Sequence, residues 1–449
     1  MQLKAQSIAT VARALGAGET TSRALVEIAL EAIAADGRAF THVDFAGARG
    51  AADASDKARA NGLVPSALAG IPISVKDLFD VAGEPTQAGS LLLRNAPPAA
   101  RDAPVIGRLR DAGAVIVGRT HMSELAFTGL GLNPHWPPLP NPHDEQRAPG
   151  GSSSGAAVSV ARGQSVAALG TDTGGSVRIP AAFCGLTGFK PTQARITREG
   201  TFPLSPSLDS IGPIANSVAC CRAFDAVIAD TPITPHPEVA PGQLRFAVPS
   251  DVVLDELDEA VARDFEAALA CISRAGAQVG QVRAPEFSEL SRLNARGALA
   301  NAEAYAVHLA AGLLERREGY DPDVLARIEV GERMSADEVR EIRAARSALS
   351  MRLETLSKAY DALLFPTVAI VAPRLADIAE PRGFARANAL ALRNAALVNF
   401  FDRCALSLPM HKEGALPTGL MIVGERLGDA RLLAVGEAIE RVLRRQAQD

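Results

Sequence analysis

The sequence predicts an α/β protein: a large mixed β-sheet sandwiched between layers of α-helices. Two observations lead there. Strand-length apolar segments alternate with amphipathic helical segments along the whole chain. The 449 residues are 47 % hydrophobic and 22 % charged, an ordinary balance for a soluble globular enzyme. With no internal repeat, 1–449 is expected to form a single domain. Its parts are a core at 60–220, a peripheral helical and substrate-side section at 240–358, and a return to the core sheet at 359–449.

Residues 5–35 place Ile8, Val11 and Leu15, then Leu25, Ile28, Ala29 and Ile33, at helical spacing, with Thr21 and Ser22 capping the second piece. Residues 68–76, LAGIPISVK, read as a buried strand. Residues 103–111 and 114–118 read as a helix, a glycine turn and a strand. The segment 130–155 is Pro, Asn, Gly and Ser without periodicity, hence loop. A small-residue helix follows (AAVSVARG), then a strand (SVAALGT), then a second glycine loop, TDTGGS. Farther on, LRFAVP and AQVGQVRAP flank a helix at about 256–275, and a polar Arg/Glu-rich helical stretch covers 285–358. DALLFPTVAIVAP then returns as a buried strand, and SLPM with PTGLMIVGE forms a late strand pair.

Composition removes several functions. The formal charge is −5, with no basic block, so a direct nucleic-acid surface is not expected. No run of 18 apolar residues predicts a membrane span. Cys184, Cys220, Cys221, Cys271 and Cys404 form no CxxC pair, so neither a disulfide framework nor a zinc ribbon is indicated, and a reducing cytoplasm fits. Of 46 basic residues only six are lysines, Lys76 among them. Unlike Arg, a Lys can give up its proton and act as a base.

Three features carry chemistry: Lys76 at the end of an apolar strand, the run Gly150-Gly151-Ser152-Ser153-Ser154-Gly155, and Thr171-Asp172-Thr173-Gly174-Gly175-Ser176. Paired glycines let successive N–H groups converge on one point, as an anion or oxyanion requires. A phosphate cradle would need GxxxxGK[ST] or GxGxxG, and neither loop has it. Residues 151–155 satisfy G-x-S-x-G with Ser153 at the centre, but a nucleophile elbow must follow a strand, and LPNPHDEQRAPG cannot be one. Of the downstream histidines, His236 sits in a proline loop and His308 on a helix, with His411 the remaining candidate; no His pairing suggests a metal. A serine activated by a desolvated lysine remains.

These residues resemble the amidase signature family. The match runs through GGSSSGAAVSVARGQSVAALGTDTGGSVRIPAAFCGLTGFKPT (150–192), with SLDSIGPIANSV (207–218) and GIPISVKD upstream; weaker similarity covers nearly the whole chain. The resemblance implies that family's fold and a Ser-cisSer-Lys triad: Ser176 as nucleophile, Ser152 as the bridging serine on a cis peptide, and Lys76 as base. It also implies an oxyanion hole from Thr173, Gly174, Gly175 and the Ser176 N–H. The expected reaction is hydrolysis of a small amide, polar or anionic, through an acyl-enzyme, with no metal and no cofactor.

Ser153, Arg178 and Arg403 are the substrate-binding candidates, although Arg178 also reads as a structural partner and Ser153 as loop lining. Asp172 is expected to fix its loop, and Cys184 and Lys190 to be structural. Where many members read KPTYGR this chain has Lys190-Pro191-Thr192-Gln193-Ala194-Arg195. Where they read N-x-x-G-x-P-A it runs from Asn399 to Ala405, with Asp402 and Arg403 adding charge. The alternatives are the A subunit of a glutamine-dependent tRNA amidotransferase and a catalytically idle binding protein. A homodimer is the assembly left open.

Overall fold

Eleven strands of the computed structural model, which describes residues 2–231 and 238–446, join one mixed sheet. In chain order they are β1 (Phe40–Val43), β2 (Pro72–Lys76), β3 (Val115–Thr120), β4 (Ala167–Asp172), β5 (Thr187–Lys190) and β6 (Ser210–Ala215). There follow β7 (Arg245–Pro249), β8 (Gln278–Val282), β9 (Ala362–Pro366), β10 (Ala405–Pro409) and β11 (Gly419–Val423). The order across the sheet is β1-β3-β2-β4-β6-β5-β10-β11-β9-β7-β8. β3, β2 and β4 are parallel, as are β9, β7 and β8; the intervening pairs are antiparallel.

Alternation along the strands covers both faces. Leu364, Leu406, Leu408, Leu420 and Ile422 pack into one apolar cluster, while their neighbours Leu363, Phe365, Ala405, Met421 and Val423 pack into another. Successive side chains of a strand point to opposite faces, so each face has its own helical cover. The predicted mixed sheet between helical layers is therefore present. No helix among the described residues is long and apolar enough to cross a membrane.

The N-terminal reading resolves into helices Ile8–Gly16 and Ser22–Ala35, and the Thr21 hydroxyl caps the second by accepting the Ala24 N–H. Two central strands escaped the sequence reading. β5 and β6 carry glycines, and β6 carries Pro213 in mid-strand, against the usual rule for central strands. Pro213 stands opposite Leu169 of β4, and β5 pairs only as far as Ile214 on the other side. The strands flanking the 240–358 section, β7 and β8, extend the same sheet at its edge.

The sheet positions the site through β2 and β4, parallel neighbours whose C-terminal ends lie side by side (Val75 is opposite Leu169). Both are buried throughout. In open α/β sheets the carboxyl ends of parallel strands are where binding crevices form.

Candidate active site

Lys76 is the last residue of β2 and is fully buried. The period of two puts it on the same face as Ser74, whose hydroxyl lies 2.9 Å from that of Ser159 on helix Ser154–Ala161. The lysine therefore points toward the N-terminal end of that small-residue helix, where the serine run enters. Its Nζ donates to Ser152 Oγ at 2.8 Å and to Thr171 Oγ1 at 2.8 Å. No carboxylate pairs with it among the described residues. Burial pushes the amine down from 10.5 to about 7, against the weaker pull of Asp172 and Asp209 toward the ammonium form.

The serine run is held by backbone bonds from several directions. Gly151 N–H donates to Gly129 O at 2.9 Å, Ser153 N–H to Ser176 O at 3.2 Å, and Gly155 N–H to His121 O at 2.8 Å. The Gly151–Ser152 peptide is cis, as the resemblance implied. His121 Nδ1 lies 2.9 Å from Ser154 Oγ, and burial lowers this imidazole to about 4, leaving it neutral.

The second loop is organised by Asp172, the final residue of β4. Its carboxylate accepts Gly175 N–H at 2.9 Å, Val177 N–H at 3.2 Å, Arg178 Nε and Nη at 3.0 and 2.9 Å, and Asn399 Nδ2 at 2.9 Å. Burial raises this carboxyl, but the Arg178 charge and hydrogen bonds, with help from Lys190 and Asn399, outweigh it and hold it at about 2. Gly175 has φ +123°, and a Cβ there would lie 2.4 Å from Ala395 Cβ, so only glycine fits. Thr173 Oγ1 donates to Asp209 at 2.5 Å; burial raises the Asp209 carboxyl to about 6 against bonds from Thr173, Ser205 and Leu204.

Ser176 closes this loop and, 4 % exposed, faces a cavity of about 460 Å³ together with Thr173 and Gly174. Its hydroxyl makes no hydrogen bond among the described residues. Ser152 Oγ is bonded to Lys76, and the further link from Ser152 to Ser176 is not formed in this state.

The family model described as Amidase matches residues 24–433. The chain belongs to the amidase family. It is 39 % identical to the 2-amino-5-chloromuconic acid deaminase of Comamonas testosteroni over 407 residues, covering 89 % of this chain and 87 % of that one. It is 35 % identical to the A subunit of the glutamyl-tRNA(Gln) amidotransferase of Anaeromyxobacter dehalogenans, over 94 % of this chain and 93 % of the other. A solved amidase superposes with a TM-score of 0.89 at 35 % identity, covering 98 % of this chain and all of its own. The mixed sheet described above is thus the amidase signature fold, and the chain is a hydrolase acting on amide C–N bonds.

Several expectations for this amidase family chain need correction. Arg178 is not on the cavity wall. It is fully buried, and Asp172, Ala395 O and Asn399 Oδ1 occupy its guanidinium. Ser153 is also buried away from the cavity, its hydroxyl donating to Thr171 O at 3.2 Å. Arg403 donates to Gly424 O at 2.7 Å and lines a different pocket from that of Ser176. The Gly175 N–H is committed to Asp172, so it is not an oxyanion donor; the amides of Thr173, Gly174 and Ser176 donate to no acceptor among the described residues. His308 is buried against the Tyr320 hydroxyl at 2.9 Å, His411 against His143, and His236 lies outside the described residues.

Two residues escaped the sequence reading. Arg327 on helix Pro322–Arg333 and Arg393 on helix Pro381–Phe400 are the charged members of the cavity wall. On the latter helix Ala389, Leu392, Arg393, Ala396, Leu397 and Phe400 face the cavity, an i, i+3, i+4 stripe that was there to be read. For Arg327, set in an Arg/Glu-rich stretch, the sequence carries no such signal.

Proposed function

We propose that this protein hydrolyses the C–N bond of a small anionic amide through an acyl-enzyme on Ser176. One observation carries the reading: a buried lysine with no carboxylate partner, its amine at about 7, donates to Ser152 on the loop whose next residue is tied to Ser176. Near neutral pH much of this amine is unprotonated and can act as a base. Neutral Lys76 takes the Ser152 proton, Ser152 takes the proton of Ser176, and Ser176 Oγ attacks the amide carbonyl. The free amides of Thr173, Gly174 and Ser176 stabilise the tetrahedral oxyanion. Ser152 returns a proton to the leaving nitrogen, the amine or ammonia departs, and water hydrolyses the ester. The Ser152–Ser176 contact is expected to tighten when substrate fills the cavity, since catalytic hydrogen bonds are often long before it binds.

The anionic character of the substrate is supported by Arg327 and Arg393 on the cavity wall and by the relative named for deaminating an acid. The five free, buried thiols fit a reducing cytoplasm. The test is ammonia release from a panel of primary amides, including malonamate, succinamate and glutamine, beside Ser176→Ala and with fluorophosphonate labelling. Release from carboxylated amides that vanishes in the variant is expected. Release from glutamine alone would support the amidotransferase reading, which the 35 % identity to an A subunit motivates. Absence of both release and labelling would overturn the enzyme assignment.

A further inference from the structure

We infer that the amide cleaved here carries two separate anionic groups, one received by Arg327 and the other by Arg393. This rests on the acyl-enzyme reading above and adds the charge pattern of the substrate.

The cavity wall is otherwise apolar or neutral, and no carboxylate lines it. Arginines supply the cation of every ion pair among the described residues except His135–Glu124. Arg327 and Arg393 are in none. The Arg327 Nε and one Arg393 Nη are buried without an acceptor. A buried guanidinium N–H without a partner is costly, and a bound carboxylate, accepting two parallel hydrogen bonds, relieves that cost.

Both groups are held ready rather than loose. The Arg327 guanidinium lies over the Phe127 ring, 5.5 Å from its centroid. Arg393 Nε donates to Asn394 Oδ1 at 3.0 Å, and Asn394 is anchored through its own amide to Val253 O at 2.9 Å and Pro366 O at 2.8 Å. Fixing a charged head before the ligand arrives lowers the ordering cost of binding.

They also occupy separate neighbourhoods. Asp323 is the nearby charge that favours the Arg327 cation, whereas Asp255 and Glu256 favour that of Arg393. Glu256 is itself bonded to Arg386 at 2.8 Å. The two arginines sit on different helices, so each receives its own carboxylate instead of clamping a shared one. A cavity of about 460 Å³ holds a molecule of that size with its amide at Ser176.

The experiment compares kcat/KM on butyramide, succinamate and carbamoylsuccinate, which carry no, one and two carboxylates, for wild type, Arg327→Gln, Arg393→Gln and the double variant. Fluorophosphonate labelling at the wild-type rate identifies variants whose nucleophile is intact. The wild type is expected to prefer carbamoylsuccinate over succinamate by about 30- to 100-fold, the worth of one charged hydrogen-bonded contact. Each single variant is expected to lose that preference while succinamate turnover falls less, and the double variant to treat all three alike. Equal losses on all three substrates in labelled variants would mean a structural role and overturn the proposal. Equal losses on succinamate and carbamoylsuccinate would mean one shared carboxylate and overturn it as well. If Ser176 labels but none of the three is hydrolysed, protection from labelling decides: tenfold better protection by succinate than by butyrate supports the proposal, and equal protection overturns it. Absence of both labelling and turnover would mean instead that the acyl-enzyme reading has failed.

Discussion

Acylation of Ser176 should switch on between pH 6 and pH 8. The perturbation is pH alone, acting on Lys76, which burial holds at about 7 instead of 10.5. At pH 7 an ordinary lysine is neutral in about 3 molecules in 10,000, and this one in about half. Desolvation thus raises the usable base by roughly three orders of magnitude at neutral pH. The neutral fraction grows about tenfold from pH 6 to pH 8 and then levels off. The assay is the second-order rate constant for fluorophosphonate labelling of Ser176, which needs no knowledge of the substrate. A sigmoid centred near pH 7 is expected, with Lys76→Met slower by at least about 100-fold, the usual worth of a general base. Asp209, at about 6, is the competing explanation for such a sigmoid, and Asp209→Asn separates the two. The Asp209 charge favours the Lys76 ammonium, so its removal should move the midpoint down without abolishing it. A flat profile, a midpoint above pH 9, or a sigmoid that disappears in Asp209→Asn would refute the reasoning.

Three further outcomes follow from the same geometry. The raised Asp209 pKa means that between about pH 4 and 6 the folded protein binds more protons than the unfolded chain, so this carboxyl lowers stability as pH rises through that window. Urea titrations of Asp209→Asn should therefore gain about 2 kcal/mol relative to wild type from pH 4 to pH 6, the part of the pKa difference that titrates within that window; parallel curves would show that Asp209 does not titrate there. Arg178→Met leaves the Asp172 carboxylate buried without its cation and should cost about 3–5 kcal/mol in denaturant unfolding, together with Ser176 labelling; a loss below 1 kcal/mol would mean the pair is replaceable. Gly175→Ala places a methyl 2.4 Å from Ala395 Cβ at φ +123°, and should cut labelling of Ser176 by more than about 100-fold while leaving the secondary structure seen by circular dichroism intact.

Much of this protein was legible before its fold was known, and the reasons are local. Strand and helix periods are properties of short windows, so the termini of β2, β4 and β7 were readable to within a few residues, whereas β9 was read seven residues too long because the apolar run continues past Pro366. The glycine and serine loops were readable because paired glycines and a lysine on an apolar strand are unusual enough to require a reason. β5 and β6 were hidden because Pro213 and several glycines erase the alternation, and only pairing with β4 and β10 holds them as strands.

What the sequence determined by itself is the chemistry available: the residues Lys76, Ser152 and Ser176, the loops that carry them, and the family to which they belong. Tertiary structure alone decided which charges are available for recognition. Arg178, two residues from Ser176, is fully taken by Asp172, while Arg327 and Arg393, more than 150 residues from Ser176 along the chain, reach its cavity without a carboxylate partner. It also decided that the Gly175 amide serves Asp172 and not a substrate oxygen. The physical reason is that catalytic geometry within a loop is set by neighbours in the chain, whereas burial, pairing and desolvation depend on everything that packs against a group. Those are the quantities that bring the Lys76 amine from 10.5 down to about 7.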